Sequence, residues 1–241
     1  MEINELEKMI RKEESISLSE AFPALMRKVY LWMTLALAIS GVTAYGVANS
    51  PALLQAIYSN RLVFFGIIIA ELVMVWKIAG SVWKENRSLT TTTLMFVIFS
   101  ALNGATLAYI FAMFSTTAIV KTFLVSTATF AATAAFGYFT KRDLTKLGGI
   151  LLMALIGLII AGMVNMFIAS STMDLVVSAV GVLIFVGLTA WDSQRIKTQL
   201  AMAPDLSESS QKIALAGALS LYLDFINLFL YLLRFFGNSD N

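Results

Sequence analysis

Cysteine and histidine are both missing from this chain of 241 residues. Without cysteine there is no disulfide and no thiolate metal site. Without histidine there is no Ser-His-Asp triad, no zinc–imidazole centre and no histidine pH switch. Any titration near neutrality must then come from a perturbed carboxylate or amine. Charge is scarce as well: 13% of residues are Asp, Glu, Lys or Arg, against about 25% in a soluble domain. A net charge of +2 is too small to suggest nucleic acid as a partner. Proline occurs three times, at Pro23, Pro51 and Pro204, all outside the long apolar runs. The spans are therefore expected to be continuous, without the proline-broken helices of many transporters.

What is present is apolar: 59% hydrophobic residues and a mean hydropathy of +0.81, the composition of an integral membrane protein. A spanning helix needs about 20 apolar residues. Seven runs qualify, at 29–48, 62–80, 93–113, 118–139, 147–168, 174–194 and 213–235, so the fold class is all-α with seven transmembrane helices. Residues 1–28 form a cytoplasmic N-terminal segment and 29–237 the membrane domain. The first 28 residues hold six Glu and five Lys or Arg, too acidic for a signal peptide, so this segment is expected to be kept. Ile3, Leu6, Met9 and Ile10 recur at helical spacing and suit a short amphipathic helix on the membrane surface. With the N-terminus in the cytoplasm, 14 of the 17 basic residues fall on the cytoplasmic side, leaving Arg61, Lys121 and Arg234 outside. This positive-inside asymmetry orients the chain with its N-terminus in and its C-terminus out. Small residues four apart, such as Ala101 and Ala105, Gly104 and Ala108, Ala128 and Ala132, and Ala131 and Ala135, are expected to let the third and fourth spans approach other helices closely.

Of 15 acidic residues, twelve lie in termini and loops. Glu71 in the second span, Asp192 in the sixth and Asp224 in the seventh remain. A carboxylate at membrane depth costs about 2.5 kcal/mol or more and marks a functional site by default. Asp192 falls near the cytoplasmic end of its run, where solvation at a helix end is an alternative. Asp224 lies roughly 12 to 18 Å from either end of its span. Upright helices would offset the two by roughly 9 Å, and tilt could close the gap. If they meet, the pair titrates as a unit and makes a pH-sensitive latch. Apart and ionised, they would attract a hard cation such as Ca²⁺, which takes about six to eight oxygen ligands. Ser220 and Asn227 share a helix face with Asp224 and give it polar support. Glu71 is a candidate for the ion path, with a protonated packing residue as the alternative. Lys77, Lys84, Arg87, Lys141, Arg142 and Arg195 lie at the cytoplasmic ends and could pair with Asp192. Asp205 and Glu208 after Pro204 form a helix-start signal, with Lys212 placed to snorkel to the surface.

The stretch Leu219-Ser220-Leu221-Tyr222-Leu223-Asp224-Phe225-Ile226-Asn227-Leu228-Phe229, continuing to Leu233-Arg234-Phe235-Phe236-Gly237, closely resembles the signature of the Bax inhibitor family. Gly137-Tyr138-Phe139-Thr140-Lys141-Arg142-Asp143-Leu144, Ser100-Ala101-Leu102-Asn103-Gly104 and Gly187-Leu188-Thr189-Ala190-Trp191-Asp192 look like its bacterial branch. The resemblance covers residues 25 to 238. It implies a central seventh helix wrapped by six others in two three-helix layers. It also implies a pH-sensitive calcium leak channel with an aspartate pair at the positions of Asp192 and Asp224. A basic latch after the second span would match Lys77, Lys84 or Arg87, none of which fits the local pattern cleanly. Bacterial relatives are further implied to modulate a membrane-bound AAA protease, and eukaryotic ones to restrain cell death.

A retinal protein would need a lysine in the seventh span, which has none. An intramembrane aspartyl protease shares the two-aspartate plan, but Leu221-Tyr222-Leu223 replaces its Gly-x-Gly turn and no Pro-Ala-Leu element follows. The expectation is thus a bacterial plasma-membrane cation leak, not an enzyme, that holds no cofactor and has Ca²⁺, protons and the lipid bilayer as partners. The alternatives are a proton-coupled cation exchanger and a regulatory scaffold for a membrane-bound protease.

Overall fold

A computed structural model describes residues 3–83 and 87–237, with side chains from residue 21 onward. The described residues contain no strand. They form α1 (Ile3–Ala48), α2 (Pro51–Tyr58), α3 (Arg61–Ala79) with a 3-10 turn at Gly80–Trp83, α4 (Leu89–Leu107), α5 (Ile110–Met113), α6 (Thr116–Phe139), α7 (Thr145–Ile168), α8 (Ser171–Ala201) and α9 (Glu208–Gly237). Seven stretches are long and apolar enough to cross a membrane: Ala21–Ala48, Arg61–Trp83, Leu89–Met113, Thr116–Phe139, Thr145–Ile168, Ser171–Ala201 and Glu208–Phe236. Five helix starts follow capping chemistry. Ser50, Asn60, Ser88, Ser115 and Ser170 each accept a hydrogen bond from a backbone N–H of the first turn, satisfying a donor that hydrocarbon would leave stranded.

Two expectations of continuity are corrected. Pro23, expected outside the spans, lies inside one: α1 runs through it and the span begins at Ala21. That ring removes one intrahelical hydrogen bond, in the first turn of the span Ala21–Ala48. The third span is interrupted at Ala108 and Tyr109, between α4 and α5. Tyr58 of α2 serves the interruption: its hydroxyl lies 2.9 Å from the Ala105 carbonyl and accepts from the Tyr109 N–H at 3.0 Å. One phenol thus answers backbone groups that the broken helix exposes. The face of α2 that does this is not visible in the apolar pattern.

The seventh span, α9, is the most buried, with 67% of its most apolar window inside the protein against 6% for the second span. α9 packs against α8, α1, α6, α4 and α3, whereas α7 packs mainly on α8. α1 and α3 also pack on α4, and α6 packs on α8. Close approach in the third span is made by Gly104, where a Cβ would come within 2.5 Å of the Ser40 carbonyl oxygen. In the fourth span it is made by Gly137, where a Cβ would overlap the Ala190 backbone. The buried stripe of α6 is Thr122, Ser126, Phe130, Ala134 and Gly137. Ala128, Ala131, Ala132 and Ala135 are exposed, so their spacing does not report the packing face.

Polar ties cluster at one end of the bundle. Lys28 Nζ donates to Gln211 Oε1 at 2.6 Å, Gln194 Nε2 to the Arg142 carbonyl at 2.7 Å, and Lys197 Nζ to the Tyr138 carbonyl at 2.8 Å. Arg234 and Asp174 pair at 3.5 Å toward the other ends of α9 and α8. Hydrogen bonding from the Ser207 side chain, and from its backbone N–H at 2.9 Å, holds the Asp205 carboxyl below the usual range, and α9 begins three residues later. Lys212 does not snorkel to the surface; it is buried.

Candidate functional site

α8 continues to Ala201, so Asp192 is an interior residue of a helix and not a solvated end. It is 6% exposed and Asp224 is 5% exposed. The expected offset does not keep them apart. The two side chains line one cavity of about 310 Å³ between α7, α8 and α9. Leu152 and Leu155 of α7, Phe185, Leu188 and Trp191 of α8 and Leu223 of α9 supply its apolar walls. Ser220 and Asn227 line it as well.

The cation at this pair is Arg195, one turn beyond Asp192. Its Nη2 lies 2.8 Å from Asp192 Oδ1 and 3.1 Å from Ser220 Oγ, and its guanidinium stacks over Trp191 at 4.7 Å. Arg195 therefore ties α8 to α9 across the aspartates. The Arg195–Asp192 contact is an ion pair by distance but lacks hydrogen-bond angles: Asp192 Oδ1, Asp224 Oδ2 and Arg195 Nε have no hydrogen-bond partner. Asn227 Nδ2 donates back to the Leu223 carbonyl of its own helix at 2.8 Å. Among the described residues no cluster of three acidic side chains exists. A cation at the pair would thus have to complete its shell with carbonyl and water oxygens.

Glu71 is not part of this cavity, and it does have partners. Thr106 Oγ1 lies 3.1 Å from its Oε1 and Asn103 Nδ2 lies 3.4 Å from its Oε2. Asn103 Oδ1 accepts from the Tyr222 hydroxyl at 2.8 Å, which lies 2.6 Å from Ser40 Oγ. Ser40 Oγ is in turn 2.7 Å from the Ser100 carbonyl. Tyr222 is fully buried edge-on against Phe96 and Phe99. A second polar cluster thus joins α1, α3, α4 and α9. Reading from sequence missed it. Its signal was Ser100, Asn103 and Thr106 at helical spacing in an apolar span.

Lys77 and Arg87 do not line the aspartate cavity. They share another cleft with Trp76, Gly80 and Trp83, where an Arg87 guanidinium N–H donates to the Lys77 carbonyl. Lys84 lies outside the described residues. Arg195 was legible as a cation near Asp192, but its i,i+3 spacing was not weighed above the basic cluster after the second span.

A family model described as inhibitor of apoptosis-promoting Bax1 matches residues 23–241. The inner membrane protein YbhL of Escherichia coli is 42% identical over 214 residues, covering 88% of this chain and 91% of that protein. An uncharacterized protein of Borreliella burgdorferi is 40% identical over 97% of this chain and 98% of its own length. An uncharacterized membrane protein of Streptococcus pyogenes is 35% identical over 96% of this chain and 98% of its own length. With the family model spanning nearly the whole membrane domain and relatives aligned end to end, this chain is a bacterial-type, multi-pass membrane protein that belongs to the Bax inhibitor family.

Proposed function

We propose that this protein is a pH-regulated cation leak of the bacterial plasma membrane, with its N-terminus in the cytoplasm, its C-terminus outside and Ca²⁺ as the transported ion. Asp192 and Asp224 are its gate and pH sensor, and the reading assigns the chain no catalytic step. The observation that carries it is the burial of these two carboxyl groups from different helices in one cavity lined by a single cation, Arg195.

The physical argument is one of charge count. Two carboxylates and one guanidinium leave one excess negative charge when both acids ionise, and one shared proton removes it. Protonated, the pair can bridge α8 and α9 through a hydrogen bond, with Arg195 holding Asp192 and Ser220 together. Ionised, the carboxylates repel across the helix interface while offering oxygens to a hard cation. A change of one proton thereby becomes a change in how α8 packs on α9. The latch role passes to Arg195, which touches both helices, in place of Lys77, Lys84 or Arg87. Glu71 is the third carboxylate of the path, held by Asn103 and Thr106.

The test is Ca²⁺ flux into proteoliposomes from about pH 5 to about pH 8, a range around neutrality in which a chain without histidine can titrate only through perturbed carboxylates or amines, for the wild type, Asp192→Asn, Asp224→Asn and the double variant. Expected are a titrating wild-type flux, loss of pH dependence in each single variant, and a double variant no worse than either single one, the mark of a coupled pair. Well-folded wild type with no protein-dependent flux at any pH would overturn the leak. It would favour the regulatory scaffold, with a membrane-bound protease as its partner. Flux that requires a proton gradient would instead make the protein an exchanger.

A further inference from the structure

The first and fourth spans both pack on α8 and α9 but have little contact with each other. Between them lies a crevice of about 580 Å³, with one wall from α1 and the other from α6. Met26, Arg27 and Tyr30 stand on the first wall, and Ala131, Ala135 and Phe139 on the second. The recurrence is that of one face on each helix. Phe139 ends α6 and Arg27 lies in the second turn of the span Ala21–Ala48, so the crevice starts at one membrane surface. From Phe139 it runs inward to Phe130, roughly 13 Å along the helix. The exposed alanines keep its wall low, which explains why their spacing did not mark a packing face.

Its charge is one-sided. Arg27 is exposed at the rim, no carboxylate lines the crevice, and neither ion pair of the described residues involves Arg27. Lys141 and Arg142 follow α6 directly and are exposed, and Lys197 Nζ sits 4.9 Å from the Tyr138 ring that also lines the crevice. An apolar slot at hydrocarbon depth, open at a cationic rim, matches an amphiphile with an apolar tail and an anionic head. We infer that the crevice between α1 and α6 is a binding site for an anionic phospholipid, one acyl chain lying between Met26 and Ala135 and the phosphate on Arg27. Lipids with a neutral headgroup would fill the slot without the ionic contact and be held less tightly.

The full chain is reconstituted in phosphatidylcholine nanodiscs containing a minor fraction of phosphatidylglycerol that carries a photoreactive acyl chain. After irradiation the adducts are mapped by peptide mass spectrometry. Adducts concentrated on residues 23–30 and 130–139 are expected, with a smaller yield from the matching photoreactive phosphatidylcholine. Arg27→Gln, at an exposed position, should cut the preference for phosphatidylglycerol about five-fold, the weight of one basic residue near an anionic surface. Ala131→Phe should fill the slot and remove the adducts. Adducts spread evenly over all lipid-facing spans, equal labelling by both lipids, or an unchanged preference in Arg27→Gln would overturn the site. Capture of a second copy of the chain in place of lipid would do so too.

Discussion

Around Tyr222 the polar side chains are answered: its hydroxyl reaches Ser40 and Asn103, and Asn103 and Thr106 reach Glu71. Two residues on, around Asp224, hydrogen bonds are missing: Asp224 Oδ2, Arg195 Nε and Asp192 Oδ1 have none, although Asp192 Oδ1 has an ion pair with Arg195. The two clusters share one helix, and about 200° of rotation separates Tyr222 from Asp224 on it. A satisfied buried network rigidifies the helices it joins, whereas an incompletely satisfied one stores a cost that a proton or an ion can relieve. The first cluster fixes how α9 sits against α1 and α4. The second lies where α9 meets α8, and under the proposed function it is the one that responds to a proton or an ion.

The sharpest way to break this comparison is to remove the cation from the open cluster. Arg195→Gln leaves a buried carboxylate without counter-charge. Stripping one partner from a fully buried pair costs about 3–5 kcal/mol, and the 37% exposure of the Arg195 side chain reduces this to about 2–3 kcal/mol. The sign with pH follows from the charge removed. The loss should be largest at high pH, where both acids are ionised, and should shrink as the pair takes up a proton. Chemical denaturation in detergent at several pH values checks it, and a pH-independent loss would mean that Arg195 acts through its stacking on Trp191. In the closed cluster, Tyr222→Phe strips the donor from Asn103 Oδ1 and should cost about 1–2 kcal/mol, at every pH alike. A pH-dependent loss there would erase the distinction between the two clusters.

How far these clusters were legible depended on what signals sequence carries. Asp192 and Asp224 stood out because an acid inside an apolar run violates composition, and composition is visible residue by residue. The runs themselves placed the seven spans to within a few residues, apart from α8 and α9, whose polar turns on either side of Pro204 lack the apolar signal, and the early start of the first span at Ala21. Glu71 was visible but its partners were not, since Asn103, Thr106, Tyr222 and Ser40 come from three other helices, and which faces meet is a tertiary fact. Pro23 and the break at Ala108 misled for a related reason: local rules penalise a proline and favour an unbroken apolar helix. At Pro23 the helix continues through the proline, and the Tyr58 hydroxyl answers the exposed backbone of the break.

The smallest expected change in stability is also the one that separates path from sensor. Glu71→Gln keeps the shape and one acceptor oxygen, so Thr106 retains a partner while Asn103 must turn its amide. This should cost about 1 kcal/mol or less, one neutral hydrogen bond among several. If Glu71 only lines the cation path, removing its charge lowers the amplitude of Ca²⁺ flux at every pH without moving the midpoint, which belongs to Asp192 and Asp224. Flux measured across the same pH series reads both quantities. A shifted midpoint would mean that a proton at Glu71 reaches the aspartates through Asn103 and Tyr222, making the two clusters one titrating unit. An unchanged amplitude would leave Glu71 as packing between α3 and α4 and confine the ion's carboxylate contacts to the open cluster.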